Sequence, residues 1–212
     1  MALFITFEGV EGCGKTTQIR RLAENLTAAG RQVLLTREPG GCPIADQVRA
    51  ILLDAANAAM TPLAELLLYA AARAQHVGEV VKPALAAGRI VLCDRFTDAT
   101  VAYQGYGRRL DRELIDRLND IATTCRPDLT ILLDCPAETG LARALARIEA
   151  TSGQPREERF EQEAIDFHRR VRDGYLAQAA AEPARFAVID AAADIETIAA
   201  SVAAAVAARL AS

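Results

Sequence analysis

Five short runs of aliphatic and β-branched residues punctuate the chain, at Leu3–Phe7, Gln32–Thr36, Arg89–Cys93, Leu129–Asp134 and Arg185–Asp190. Each has the length and flanking turn residues of a strand, and the longer stretches between them repeat apolar positions at helical spacing. Strands alternating with helices specify an α/β fold built on a parallel sheet. The first helix is predicted from about Lys15 to Ala29, with Gly30 as its stop. A second starts near Pro62 and carries Leu63, Leu66, Leu67 and Ala70, and Gly88 closes the segment after it. Further helices are predicted near Arg112 to Thr124 and from about Ile195 to Leu210, with the turn Arg126-Pro127-Asp128 feeding the fourth strand. No repeat or linker interrupts the alternation, so residues 1–212 are expected to form a single domain.

The pattern fails in one place. Between Ile148 and Glu158 the chain reads Thr-Ser-Gly-Gln-Pro-Arg-Glu-Glu, a polar stretch flanked by helical sequence. It is read as a mobile lid at about 145–160, the plainer alternative being a solvated connector.

Composition narrows the ligand class. A formal charge of −4 lacks the basic face that duplex nucleic acid demands, but a local arginine cluster on an acidic protein can still bind a small anion. Lys15 and Lys82 are the only lysines among 24 basic residues, so arginine is common here and no single arginine is diagnostic. Cys13, Cys42, Cys93, Cys125 and Cys135 have neither C-x-x-C nor zinc spacing and read as reduced thiols. The start Met-Ala-Leu-Phe-Ile-Thr-Phe-Glu does not resemble a signal peptide and no run reaches membrane-spanning length, so a cytoplasmic protein without a membrane partner is expected. His76 and His168 show no metal spacing and are read as solvent-facing helix residues.

Between the first strand and the first helix lies Gly9-Val10-Glu11-Gly12-Cys13-Gly14-Lys15-Thr16, a G-x-x-x-x-G-K-[ST] loop followed by Thr17. Its glycines let successive N–H groups turn inward as an anion nest, Lys15 reaches the β- and γ-phosphates of a nucleoside triphosphate, and the Thr16 hydroxyl suits Mg²⁺.

In a doubly wound sheet ligands bind beyond the carboxyl ends of the strands. Those ends deliver Glu8, the Arg37-Glu38-Pro39-Gly40-Gly41 segment, Asp94-Arg95-Phe96 and Asp134. Asp94 and Asp134 compete as the metal-side carboxylate, and Asp94 is favoured because Arg95 adjoins it, whereas Asp134 also suits a helix-entry cap. Arg37, Arg73 and Arg95 are candidate cations for an acceptor phosphate, with surface ion pairing as the alternative. Tyr69 lies four residues before Arg73, so on a helix a ring and a guanidinium share a face; a half-buried core aromatic is the other reading. The segment from Asp98 to Gly107, which includes Thr100, Tyr103 and Gln104, gathers hydroxyl, amide and aromatic groups that suit a planar base.

These motifs together resemble bacterial thymidylate kinase, in the P-loop nucleoside monophosphate kinase superfamily, along essentially the whole chain. Phe7 to Thr17 is similar to that family's P-loop, Thr36-Arg37-Glu38-Pro39-Gly40-Gly41 to its Arg-Glu-Pro-Gly-Gly loop, and Tyr69 to His76 to its base-binding helix. Cys93-Asp94-Arg95-Phe96 with Ala102-Tyr103-Gln104-Gly105 completes the ordered set. The resemblance implies a three-layer P-loop NTPase fold with a five-stranded parallel sheet, a homodimer, and transfer of the ATP γ-phosphoryl group to dTMP with Mg²⁺. It implies that Glu8 lies near the acceptor 3′-hydroxyl and the metal, and that Tyr69 stacks on thymine where the family commonly has Phe. Arg73, Gln104 and Thr100 would then read the base edge, Arg37 and Arg95 would clamp the phosphate, and Tyr103 would crowd the 2′ position. Some members carry a basic side chain inside the P-loop; here Val10, Glu11, Gly12 and Cys13 occupy the variable positions, which assigns the transition-state arginine to the lid. Bacterial relatives place lid arginines in a pattern resembling R-G-x-x-D-R-x-E; here Arg147 precedes Ile148, and Arg159-Phe160-Glu161 follows an apparent insertion. Arg147 and Arg159 are the candidates beside Lys15 and Arg95, with Arg143 and Arg156 in reserve. The alternatives are a deoxynucleoside kinase and, more remotely, a P-loop nucleotide switch, which lacks support because no Asn-Lys-x-Asp motif is present.

Overall fold

The computed structural model describes residues 2–150 and 159–211. Its sheet has five parallel strands: β1 (Leu3–Glu8), β2 (Val33–Arg37), β3 (Ile90–Asp94), β4 (Leu129–Asp134) and β5 (Phe186–Asp190), in the order β2-β3-β1-β4-β5. Every residue of the central strand β1 is buried, as the unbroken run Leu-Phe-Ile-Thr-Phe-Glu requires of a strand covered on both faces. The edge strands β2 and β5 are part-exposed. The order steps away from β1 in both directions, so the switch point lies at the carboxyl end of β1, where the P-loop emerges.

Nine helices surround the sheet among the described residues: α1 (Lys15–Ala28), α2 (Pro43–Leu53), α3 (Pro62–His76), α4 (Lys82–Ala86), α5 (Thr97–Thr100), α6 (Arg112–Ala122), α7 (Ala137–Ala150), α8 (Ile165–Ala181) and α9 (Ile195–Ala211). Alternation along β1 divides the core. Leu3, Ile5 and Phe7 join Ile19, Leu22 and Leu26 of α1 and Ile198, Val202 and Val206 of α9, while Phe4 packs with Val77, Val81, Ala84 and Phe96 on the other face. Burying these side chains contributes roughly 1.5–3 kcal/mol each.

The ends of the helices follow local chemistry. Thr61 caps α3 ahead of Pro62, Asp111 caps α6 through the Leu114 N–H, and Asp194 receives the N–H groups of Glu196 and Thr197 at the start of α9. α6 stops at Ala122, two residues short of expectation, because Thr123 is extended. The helix begun at Pro62 continues past Ala70 to His76, through a π-helical turn at Val77–Val81 and into α4. A second π-helical segment, Val101–Gly107, was not anticipated from the sequence. Residues 145–150 of the expected lid are the end of α7, and 151–158, with Arg156, lie outside the described residues.

Candidate active site

The strand ends and the P-loop line one cavity of about 650 Å³. Glu11, Gly12, Lys15 and Thr16 line it from the P-loop. Gly12 cannot be replaced there, since its φ is +66° and a Cβ would meet the Gly140 carbonyl at 2.1 Å. Lys15 Nζ donates to the carbonyls of Gly9 and Val10 at 3.0 and 2.9 Å, so the ammonium is held inside the loop.

Arg37, Tyr69, Arg73, Arg95, Thr100, Tyr103 and Gln104 also line the cavity, all seven expected there from sequence. Their settings differ. Arg37, on edge strand β2, is exposed and reaches Asp46 at 3.2 Å. Arg73 is 2% exposed: Nε donates to Glu38 at 2.8 Å, Nη1 to Asn119 at 2.8 Å, and Nη2 to the Phe96 carbonyl and the Thr100 hydroxyl. Gln104 Nε2 donates to Glu65 at 2.7 Å, so its amide oxygen is the group left for another donor. Burial, then the nearby Glu65 carboxylate, push the Tyr69 phenol up and keep it neutral.

Arg95 occupies the centre. It adopts a left-handed conformation with φ 69°, rare for a residue with a side chain, and its guanidinium lies 4.7 Å over the Tyr103 ring. Nη1 donates to the Gly9 carbonyl at 3.1 Å and to Tyr175 Oη at 3.0 Å, and Nη2 to Glu11 Oε1 at 3.1 Å. Glu11 also accepts from the Tyr103 hydroxyl and pairs with His168 Nδ1 at 3.2 Å. Burial raises the Glu11 carboxyl, but the His168 hydrogen bond and the Arg95 and Lys15 charges outweigh it and hold the group at about 2.

The carboxylates at the strand ends separate by environment. Asp94 lines the cavity with Thr16, whereas both oxygens of Asp134 are held by Arg172 at 2.7 and 2.9 Å. Thr16 and Asp94 are hard oxygen donors that fit Mg²⁺. Among the described residues no three His, Cys, Asp or Glu side chains converge on a metal position, so the ion would complete its shell with phosphate oxygens and water, as Mg²⁺ commonly does.

The sequence matches the family model for thymidylate kinase over residues 7–202. The chain belongs to the thymidylate kinase family. A thymidylate kinase of Geotalea uraniireducens (strain Rf4) is 66% identical over 212 residues, covering 100% of this chain and 99% of that one. One from Geobacter sulfurreducens (strain ATCC 51573 / DSM 12127 / PCA) is 65% identical over 204 residues, 96% and 95% of the two chains. The crystal structure of thymidylate kinase from Ehrlichia chaffeensis superposes with a TM-score of 0.78 at 36% identity, covering 97% of this chain and 98% of that one.

Several sequence expectations change within this thymidylate kinase frame. Glu8 does not reach the cavity: it is fully buried, accepting from the Phe96 N–H and the Tyr175 hydroxyl, each at 2.7 Å. Burial and the Asp98 charge raise its carboxyl to about 8, against the pull of Arg95, Tyr175 and Phe96. The P-loop carboxylate that lines the cavity is Glu11, and its presence among the variable positions of an anion-binding loop is the signal for it. Arg159 also lies off the cavity, because Glu65 at 2.6 Å and the Leu52 carbonyl hold its guanidinium. Arg143 donates to the Ala191 carbonyl instead, and Arg147, on the last turn of α7, does line the cavity, 4.0 Å from Glu161.

The histidines are not solvent-facing. His76 is 0% exposed, bridging Glu38 at 2.9 Å and Thr36 at 2.7 Å, and Gly41 packs so closely on its ring that a Cβ there would lie 2.6 Å away. His168 is 1% exposed and bound to Glu11. A buried imidazole on a helix resembles an exposed one in sequence, because its partners come from distant positions.

Proposed function

We propose that this cavity carries out the ATP-dependent phosphorylation of dTMP to dTDP. The observation that carries the reading is that a P-loop lysine and three acceptor-side arginines line one cavity, 650 Å³ in volume. Gly9, Val10, Glu11, Gly12, Cys13, Gly14, Lys15, Thr16 and Thr17 would wrap the ATP phosphates. Arg37 and Arg95 would take the acceptor phosphate, Tyr69 would stack on thymine, and Arg73, Thr100 and Gln104 would fix its polar edge. Tyr103, locked to Glu11 beneath Arg95, would fill the space that a ribose 2′-hydroxyl needs.

Mg²⁺, held by Thr16 and Asp94, would neutralise charge on the β- and γ-oxygens of ATP. Lys15 and Arg95, which share the Gly9 carbonyl at 3.0 and 3.1 Å, would approach the transferred group together, and Arg147 is the cation that α7 adds to the cavity lining. Phosphoryl transfer asks the protein mainly for positioning and charge, and this chain supplies both with side chains that neighbouring groups already orient.

A homodimer is proposed as well: adjoining helices α2, α3 and α6 leave Ile51, Leu63, Leu67 and Ile121 exposed. All five cysteines are free, which suits the reducing cytoplasm, and among the described residues no helix is long and apolar enough to cross a membrane. Coupled measurement of ADP release should show turnover with dTMP and little with thymidine. Preference for thymidine would make the protein a deoxynucleoside kinase instead.

A further inference from the structure

We infer that Tyr175, with Glu8 behind it, is a positioning residue that fixes the Arg95 guanidinium toward the acceptor phosphate. The inference rests on the acceptor role proposed for Arg95.

Residue 95 is held at both ends by one carboxyl group. Its backbone turns out of β3 in the left-handed region, with its N–H on the Phe7 carbonyl at 2.9 Å and its carbonyl on the Cys93 thiol at 3.1 Å. The next N–H, of Phe96, donates to Glu8 Oε1. The other oxygen, Glu8 Oε2, accepts from the Tyr175 hydroxyl, whose oxygen in turn accepts from Arg95 Nη1 at 3.0 Å. The backbone is thus tied through Phe96 and the side chain through Tyr175. A left-handed arginine costs conformational energy and persists only where its surroundings over-determine it.

The Arg95 end of the relay has a fixed direction. A guanidinium nitrogen can only donate, so the Tyr175 oxygen accepts from Arg95, and the Tyr175 hydroxyl is bonded in turn to Glu8 Oε2. Tyr175 is 1% exposed and packs edge-on to Tyr103, the ring beneath Arg95, at 6.3 Å. If packing were its whole role, phenylalanine would serve equally well, because a buried hydroxyl is costly unless it is bonded. The two bonds this hydroxyl makes are the ones that aim Arg95.

Tyr175→Phe keeps the ring and removes the relay. It should raise the KM for dTMP about tenfold, the worth of a hydrogen bond to a charged group, with the KM for ATP within about twofold of wild type and a single cooperative thermal transition retained. Glu8→Ala should give the same split, since it removes the acceptors of the Phe96 N–H and the Tyr175 hydroxyl together. The deciding measurement places Tyr175→Phe on an Arg95→Ala background, where its effect on dTMP binding should vanish. An equal loss on both backgrounds, no loss in wild type, or an equal rise in both KM values would overturn the inference. If Arg95→Ala alone leaves dTMP binding intact, the acceptor role of Arg95 fails first, and that result is distinguishable from additivity.

Discussion

The acceptor wall and the α7 wall of the cavity are both furnished with arginine, yet the two are built differently. Arg73 and Arg95 sit on or beside the sheet and are held by buried partners: Glu38, Asn119 and Thr100 for one, Glu11 and Tyr175 for the other. Arg147 projects from the last turn of α7 with 64% of its side chain exposed, and its carboxylate neighbour Glu161 is 4.0 Å away. Arg73, buried, and Arg95, half-buried, are thus pre-oriented for a fixed substrate shape, whereas Arg147 is largely exposed and, in the proposed role, would meet charge at the moment of transfer. Losses on the acceptor wall should therefore appear in dTMP binding, and losses on the α7 wall in turnover.

The largest expected effect tests the second half of that contrast. Arg147→Ala should lower kcat by on the order of 10³-fold with dTMP affinity nearly intact, as for a supplied arginine finger; steady-state kinetics beside calorimetric dTMP titration checks both terms. Gln104→Ala comes next, and should weaken dTMP by about tenfold while ATP is little affected, because Glu65 already orients the amide. Equal losses for both nucleotides would point to general damage.

Arg159 sharpens the contrast from the other side. Its guanidinium is buried between Glu65 and the Leu52 carbonyl, so Arg159→Ala should cost roughly 2–3 kcal/mol of stability in denaturant unfolding. A variant of wild-type stability with collapsed kcat would return Arg159 to the catalytic side.

A test of pH dependence concerns Glu8. Its carboxyl is raised to about 8, so the folded protein holds the proton that the unfolded chain releases near its ordinary value of 4.5. The stabilisation linked to that proton is complete below about pH 4.5 and is lost as pH rises toward 8. Relative to wild type, Glu8→Gln should gain stability across that window and no more above it, as read from unfolding curves at a series of pH values.

The parts of this site that sequence made legible are those whose function forces a local pattern. The P-loop needs its glycines and lysine in order, and strands β1 to β4 end in residues that a doubly wound sheet must present at its carboxyl edge, so Arg37, Asp94 and Arg95 could be placed from their neighbours alone. Tyr69 and Arg73 followed from helical spacing. Glu8 departs from expectation because a strand-end carboxylate has the same sequence whether it faces the cavity or the core; its partners Phe96 and Tyr175, far along the chain, decide. His76 and His168 failed for the same reason. Arg159 was misread because its partners, Glu65 and Leu52, come from α3 and α2, which nothing near residue 159 announces. The π-helical segment Val101–Gly107, which carries Tyr103 and Gln104, leaves no mark on hydrophobic periodicity.

In the proposed function Arg95 recognises the phosphate of a nucleoside monophosphate. The most direct measurement is the ratio of thymidine to dTMP dissociation constants, by calorimetry, in wild type and Arg95→Ala. Wild type should prefer dTMP by about 100-fold or more, and Arg95→Ala should narrow the ratio at least tenfold through dTMP alone. An unchanged ratio in the two proteins would contradict it.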